Sequence, residues 1–149
     1  MISCFRALLR TGTLGWVFSF LLACGPKSQL PPIPPDVITE ETLHDTDDPA
    51  IWVHPDDPAQ SIVFGTDKET EGAIYAFGLD GKVLEDKTLR GVRRPNNVDV
   101  EYGVLLNDST RTDILAFAER ERGRIRIFSV PDMQPLDGGG FPVFQNASK

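Results

Sequence analysis

The chain repeats itself, and this limits its possible folds more than any other feature. Ile62-Val63-Phe64-Gly65-Thr66-Asp67-Lys68 overlays Ile114-Leu115-Ala116-Phe117-Ala118-Glu119-Arg120 at an offset of 52 residues. After a one-residue gap, Ile74-Tyr75-Ala76-Phe77 overlays Ile125-Arg126-Ile127-Phe128, and upstream Asp47-Asp48 overlays Asn96-Asn97. Short runs of β-branched and aromatic residues predict strands at 50–53, 61–65, 73–77 and 82–84, then at 98–102, 113–118, 124–129 and near Met133. Turn signals fall at 55–58 and 79–81, and no helical period stands out. Four short antiparallel strands per repeat of about 50 residues is the pattern of a propeller blade. The predicted fold is therefore an all-β propeller of four-stranded antiparallel blades, with about two blades present. A β-sandwich with similar strand spacing is the competing reading, but it leaves unexplained why polar residues recur in register.

In a propeller, equivalent positions of successive blades converge on one end of the central channel. Asp48 with Asn97, and Lys68 with Arg120, would then surround a common opening. Carboxylates and carbonyls are hard oxygen ligands suited to calcium, whereas lysine and arginine donate to phosphate oxygens. Together the two sets point to a cation-bridged phosphate ester. Charge supports cationic partners: the formal net charge is -7 with a sequence pI near 4.7, the reverse of a surface built to neutralise nucleic-acid phosphates.

The first segment reads as an address. Residues 1–23 carry Arg6 and Arg10, no acid, and an apolar run from Thr11 to Leu22, which is about the length of a signal-peptide core. A spanning helix would need roughly 20 apolar residues. The run ends in Leu21-Leu22-Ala23-Cys24, which resembles a bacterial lipobox. On this reading Cys4 is discarded and Cys24 is the lipidated N-terminus, so no disulfide is left to form. An uncleaved core helix and an ordinary secretory signal are the alternatives. Removing residues 1–23 takes the net charge from -7 to -9. Residues 24–38 hold Cys24 and a Pro-rich tether, and 39–149 form the partial propeller domain. The product is expected to be exported and held to the cell envelope by its lipid. Gly25 after Cys24 favours the outer membrane if the cell has one.

Asp47-Asp48-Pro49-Ala50-Ile51-Trp52-Val53-His54-Pro55 resembles the opening signature of the β-propeller phytases, calcium-dependent phosphatases acting on inositol hexakisphosphate. Further matches follow in order: Gly65-Thr66-Asp67-Lys68 before Ala73-Ile74-Tyr75, Asn96-Asn97-Val98-Asp99 with Tyr102, and Ala118-Glu119-Arg120. The resemblance covers about 39–132 and implies hydrolysis of phytate phosphomonoesters aided by several calcium ions. It implies that Asp48 and the Val98 carbonyl hold a structural ion, that Asp47 faces the active-site cluster, and that Asp99 belongs to the same calcium set. Lys68 and Arg120 would grip substrate phosphates and stabilise the transferring group. Glu69 departs from the family, which often has a second lysine there. The family's ring is six-bladed, so two blades read as an N-terminal portion, expected to be inactive alone. The alternative function is a non-catalytic calcium- or phosphate-ligand-binding module on the cell surface. The expected partners are phytate or calcium phytate and a membrane reached through the lipid, with no nucleic acid and no obligate protein partner.

Weaker features read as scaffold. His44 and His54 are too unlike in context to form a metal pair, and His54 suits a strand-end turn. Trp52 reads as core, and the arginines after Arg120, up to Arg126, read as a solvated strand face. Two glycosylation sequons begin at Asn107 and Asn146, a modification a bacterial lipoprotein would rarely carry.

Overall fold

A computed structural model of the chain describes residues 31–107 and 109–143. The segment read as a signal peptide, Cys24, most of the expected tether and the sequon at Asn146 lie outside the described residues. The chain divides into two units, Met1–Pro35 and Asp36–Lys149. The described part of the first, 31–35, carries no regular structure and is exposed. None of the described helices is long and apolar enough to cross a membrane.

The second unit is all-β. Strands β1 (Thr46–Trp52), β2 (Ile62–Asp67), β3 (Gly72–Phe77) and β4 (Leu89–Val92) form one antiparallel sheet in that order. Strands β5 (Pro95–Leu105), β6 (Arg111–Glu119), β7 (Arg124–Val130) and β8 (Phe141–Pro142) repeat the arrangement. Each sheet is a four-stranded meander, the unit of a propeller blade. The internal overlay holds in the pairing itself, for Asp67 faces Ala73 in the first sheet and Glu119 faces Arg124 in the second.

The first three strands of each sheet lie where the sequence pattern puts them; the fourth does not. The run at 82–84 makes one bridge, Phe77 with Val83, and the region near Met133 makes one, Phe128 with Pro135. In the first sheet Thr88 Oγ1 accepts from the Ala76 amide at 3.1 Å and donates to the Leu84 carbonyl at 3.0 Å. That hydroxyl stands in for a ladder partner and carries the chain round to β4. In the second, Pro131 and Pro135 supply no N–H. The stretch between them and beyond bonds β7 through the Ser129 amide to the Gln134 carbonyl at 2.8 Å and the Leu136 amide to the Ile127 carbonyl at 2.9 Å, and a regular ladder resumes at β8, after the turn at 137–140.

The two sheets share a core. Trp52, Phe64 and Ile74 of the first belong to one buried cluster with Val98, Leu115 and Phe117 of the second. Behind the first sheet, Tyr75 and Phe77 form a smaller cluster, crossed by the segment before β1. The Leu43 amide donates to Tyr75 Oη at 3.3 Å, and Glu40 Oε2 accepts from the Val83 amide at 2.7 Å. The rear face of the second sheet carries Ile114, Ala116, Ala118, Ile125 and Ile127, all half-buried. Gly72, where β2 turns into β3, has no room for a side chain: a Cβ there would lie 2.1 Å from the Asp67 carbonyl oxygen. This close approach fixes the loop that carries Lys68.

Candidate functional site

The polar repeat residues sit at matching irregularities. The β1–β2 register shifts between Thr46 and Pro49, and the β5–β6 register shifts between Asn96 and Val98. Asp47 and Asp48 occupy the first irregularity, and Asn96 and Asn97 mark the second, with Asn97 at φ 47°. A bulge inserts an unpaired residue and re-aims side chains, so residues that would otherwise face into a ladder can reach across to the neighbouring sheet.

Asp48 makes that reach. Its amide donates to Thr66 Oγ1 at 2.9 Å, and its Oδ2 accepts from the Val98 amide at 3.0 Å. The structure thus brings Asp48 and Val98 together through the Val98 N–H, not its carbonyl, because the interrupted ladder leaves that donor needing an acceptor. Asp47 and Lys68 also meet: Lys68 Nζ lies 3.1 Å from Asp47 Oδ1 and 3.4 Å from Asp45 Oδ2. Hydrogen bonds to Asp47 and then Asp45 push the Lys68 ammonium above its ordinary value, so it stays charged. Asp99 stands apart. It is exposed, strand alternation puts it on the opposite face of β5 from Val98, and its Oδ1 accepts from the Val100 amide at 2.8 Å.

Arg120 opens a 3-10 turn, Arg120–Arg122, directly after β6. Its side chain is exposed. The Arg120 amide donates to the Arg94 carbonyl at 3.2 Å, and the Arg94 amide donates to the Glu69 carbonyl at 2.9 Å. This backbone relay ties the Lys68–Glu69 loop and Arg120 to one edge.

The donors at 45–48 suit calcium in kind, since they are carboxylates on a bulged strand with peptide carbonyls beside them. Calcium takes about 6–8 oxygens. Among the described residues, no three His, Cys, Asp or Glu side chains converge on one point. Asp45, Asp47 and Asp48 could contribute at most part of such a shell.

Sequence reasoning missed two buried acids that hold these parts in place. Asp67 and Glu119 end β2 and β6, one residue before Lys68 and Arg120, and both are buried. Asp67 Oδ1 accepts from the Asp45 amide at 3.1 Å, and its Oδ2 lies 2.9 Å from His44 Nδ1, which fixes the segment bearing Asp45 and Asp47. Glu119 accepts from the Arg93 amide at 2.9 Å, Arg122 Nη1 at 3.0 Å and Arg124 Nε at 2.6 Å. Burial pushes the Glu119 carboxyl up, and Arg124 with the Arg93 amide more than offsets this, holding it below its ordinary value. The signal was available, for an acid precedes a base at the same offset in both repeats.

Arg124 and Arg126 correct the solvated-face reading, as their side chains are only 23% and 14% exposed. Arg126 Nε bonds Asp137 Oδ2 at 2.7 Å, and its guanidinium lies over the Phe128 ring, 4.9 Å from the centroid. His54 caps a turn, with Nδ1 accepting from the amides of Asp56 and Asp57.

A family model described as Phytase matches residues 35–135. A 3-phytase of Bacillus subtilis (strain 168) is 36% identical over 109 residues, covering 69% of this chain and 27% of the relative. The match thus spans about a quarter of that relative's length.

Proposed function

The chain belongs to the phytase family, and from that membership we propose that it serves calcium-dependent hydrolysis of phosphate monoesters of phytate, myo-inositol hexakisphosphate. The observation that carries this reading is the meeting of Asp47 with Lys68 beside the Asp48 bulge, which puts cation-type and phosphate-type ligands at one edge. Calcium, when bound, would neutralise substrate charge and acidify a bound water. Asp47 and Asp48 would hold the cation, with Asp48 already set by Thr66 and Val98. Lys68 and Arg120 would bind phosphate oxygens and stabilise the charge that develops as water attacks phosphorus and the bond to the inositol oxygen breaks. Lys68 is kept protonated for that role by its acidic neighbours.

Export and anchoring through a lipidated Cys24 belong to the same proposal, on the strength of the lipobox-like sequence. Mass spectrometry of the mature N-terminus is expected to show a diacylated Cys24; a retained Met1 would remove this part.

Asp48→Asn separates calcium binding from scaffold. An asparagine oxygen can still accept from the Val98 amide, and asparagines already stand at the matching bulge. The variant should therefore fold like the wild type while its calcium-dependent binding of phytate, followed by calorimetry, weakens about tenfold or more. Phytate binding that ignores both calcium and the substitution would overturn the proposal.

A further inference from the structure

Of the eleven lysine and arginine side chains among the described residues, nine hold a carboxylate or a carbonyl oxygen. Arg94 and Arg120 hold none. The two are joined through the backbone, since the Arg94 carbonyl accepts from the Arg120 amide at 3.2 Å. Their exposed side chains thus spring from neighbouring points, while the Arg94 amide reaches the Glu69 carbonyl beside Lys68.

Local chemistry does not account for an arginine at position 94. Its φ is 52°, a left-handed conformation that glycine adopts freely and side-chain-bearing residues adopt rarely. The adjacent Arg93 already serves the scaffold, with its amide on Glu119 at 2.9 Å and its Nε on Glu121 at 3.0 Å. Glu121 also accepts from Thr70. Among the described residues the Arg94 guanidinium is bonded to no acceptor, and the acid whose charge it feels, Glu121, is already engaged by Arg93 and Thr70. An exposed guanidinium in a glycine-favouring conformation on an acidic chain thus has its donors available for an anion. Guanidiniums present forked donors that match phosphate oxygens two at a time.

We infer that Arg94 is a phosphate-binding residue, pairing with Arg120 as a two-guanidinium clamp on one phosphate group of the substrate. This rests on the phosphate-ester reading above and adds a residue to it.

The test uses the full chain with calcium, titrated with sodium phytate and separately with inorganic phosphate, for the wild type and for Arg94→Ala, Arg94→Lys and Arg94→Gly. Arg94→Ala and Arg94→Gly should each weaken phytate binding about tenfold or more, the loss of one charge-assisted contact. Arg94→Lys should recover part of the affinity, because a lysine keeps the charge and loses the fork. Glycine relieves the backbone, so the melting temperature of Arg94→Gly without ligand should stay level or rise. Affinity and stability then move in opposite directions, which a purely structural role would not produce. Wild-type affinity in Arg94→Gly would overturn the clamp and leave the phytate reading standing. Wild-type binding of inorganic phosphate but not phytate, with loss in the variants, would keep the clamp and sink the phytate reading. Binding of neither ligand by the wild type would overturn both.

Discussion

Glu119→Ala is expected to lower stability by about 3–5 kcal/mol, the range for stripping one partner from a buried charge network. The carboxylate is fully buried and accepts from Arg93, Arg122 and Arg124, with Arg126 Nη1 at 3.7 Å. Alanine would leave the Arg93 amide and the inner guanidiniums of Arg124 and Arg126 short of an acceptor. Glu119→Gln keeps an oxygen for the Arg93 amide and loses only the charge, so it should cost less. The two variants also differ from the wild type in how they respond to acid. The folded-state values of Glu119 and Asp137 lie below their ordinary values of 4.5 and 3.8; burial pushes each up, and Arg124 and Arg126 more than offset it. A carboxyl with a depressed folded value binds its proton more readily when unfolded. Its contribution is therefore complete above the ordinary value and disappears as pH falls through the folded value. Urea unfolding followed by circular dichroism should show the gap between wild type and Glu119→Gln narrowing from pH 7 to below pH 4. A gap that stays constant would mean that the charge of Glu119 contributes nothing.

The fate of these acids shows where the sequence was legible. Periodicity and the internal overlay locate β1 to β3 and β5 to β7, because apolar residues facing a shared core recur at fixed offsets and turn residues punctuate them. They also put Asp47 with Asp48, and Asn96 with Asn97, at equivalent positions, which the paired irregularities reproduce. The fourth strands escape the pattern. Leu89-Arg90-Gly91-Val92 has little β-propensity, and its place is set by the Thr88 hydroxyl and the turn before it. Charged residues are read least well, since composition cannot tell a paired arginine from a free one. Arg124 and Arg126 look like surface in the sequence, yet they are drawn inward by two buried acids across the turns that flank β7, Glu119 at the end of β6 and Asp137 just before a glycine run. Val98 meets Asp48 through its amide, a contact that residue type alone does not announce, because which backbone group a bulge leaves unpaired depends on register.

Trp52→Ala should cost a further unit of the same size, about 3–5 kcal/mol, by a different route. Trp52 ends β1, is 2% exposed, and sends its indole Nε1 to Asp113 Oδ2 at 2.7 Å in the second sheet. Asp113 Oδ1 in turn accepts from the Gly103 amide at 2.8 Å, and the Val53 amide next to the tryptophan donates to Tyr102 Oη at 2.8 Å. With Asp48 on Val98, β1 is thus stitched to the second sheet at both ends. Removing the indole opens a cavity in the shared core and leaves one Asp113 oxygen without its donor. Trp52→Phe keeps most of the volume and loses only that hydrogen bond, so its cost should be nearer 1 kcal/mol. The Asp48 end depends on the Trp52 end, because a sheet free to shift at Trp52 no longer holds the Val98 amide over Asp48. In urea titrations of the chain, Trp52→Ala should therefore lose calcium-dependent phytate binding along with stability, while Trp52→Phe keeps the binding. A Trp52→Ala protein within about 1 kcal/mol of wild type would show that the Trp52 end contributes little to joining the two sheets.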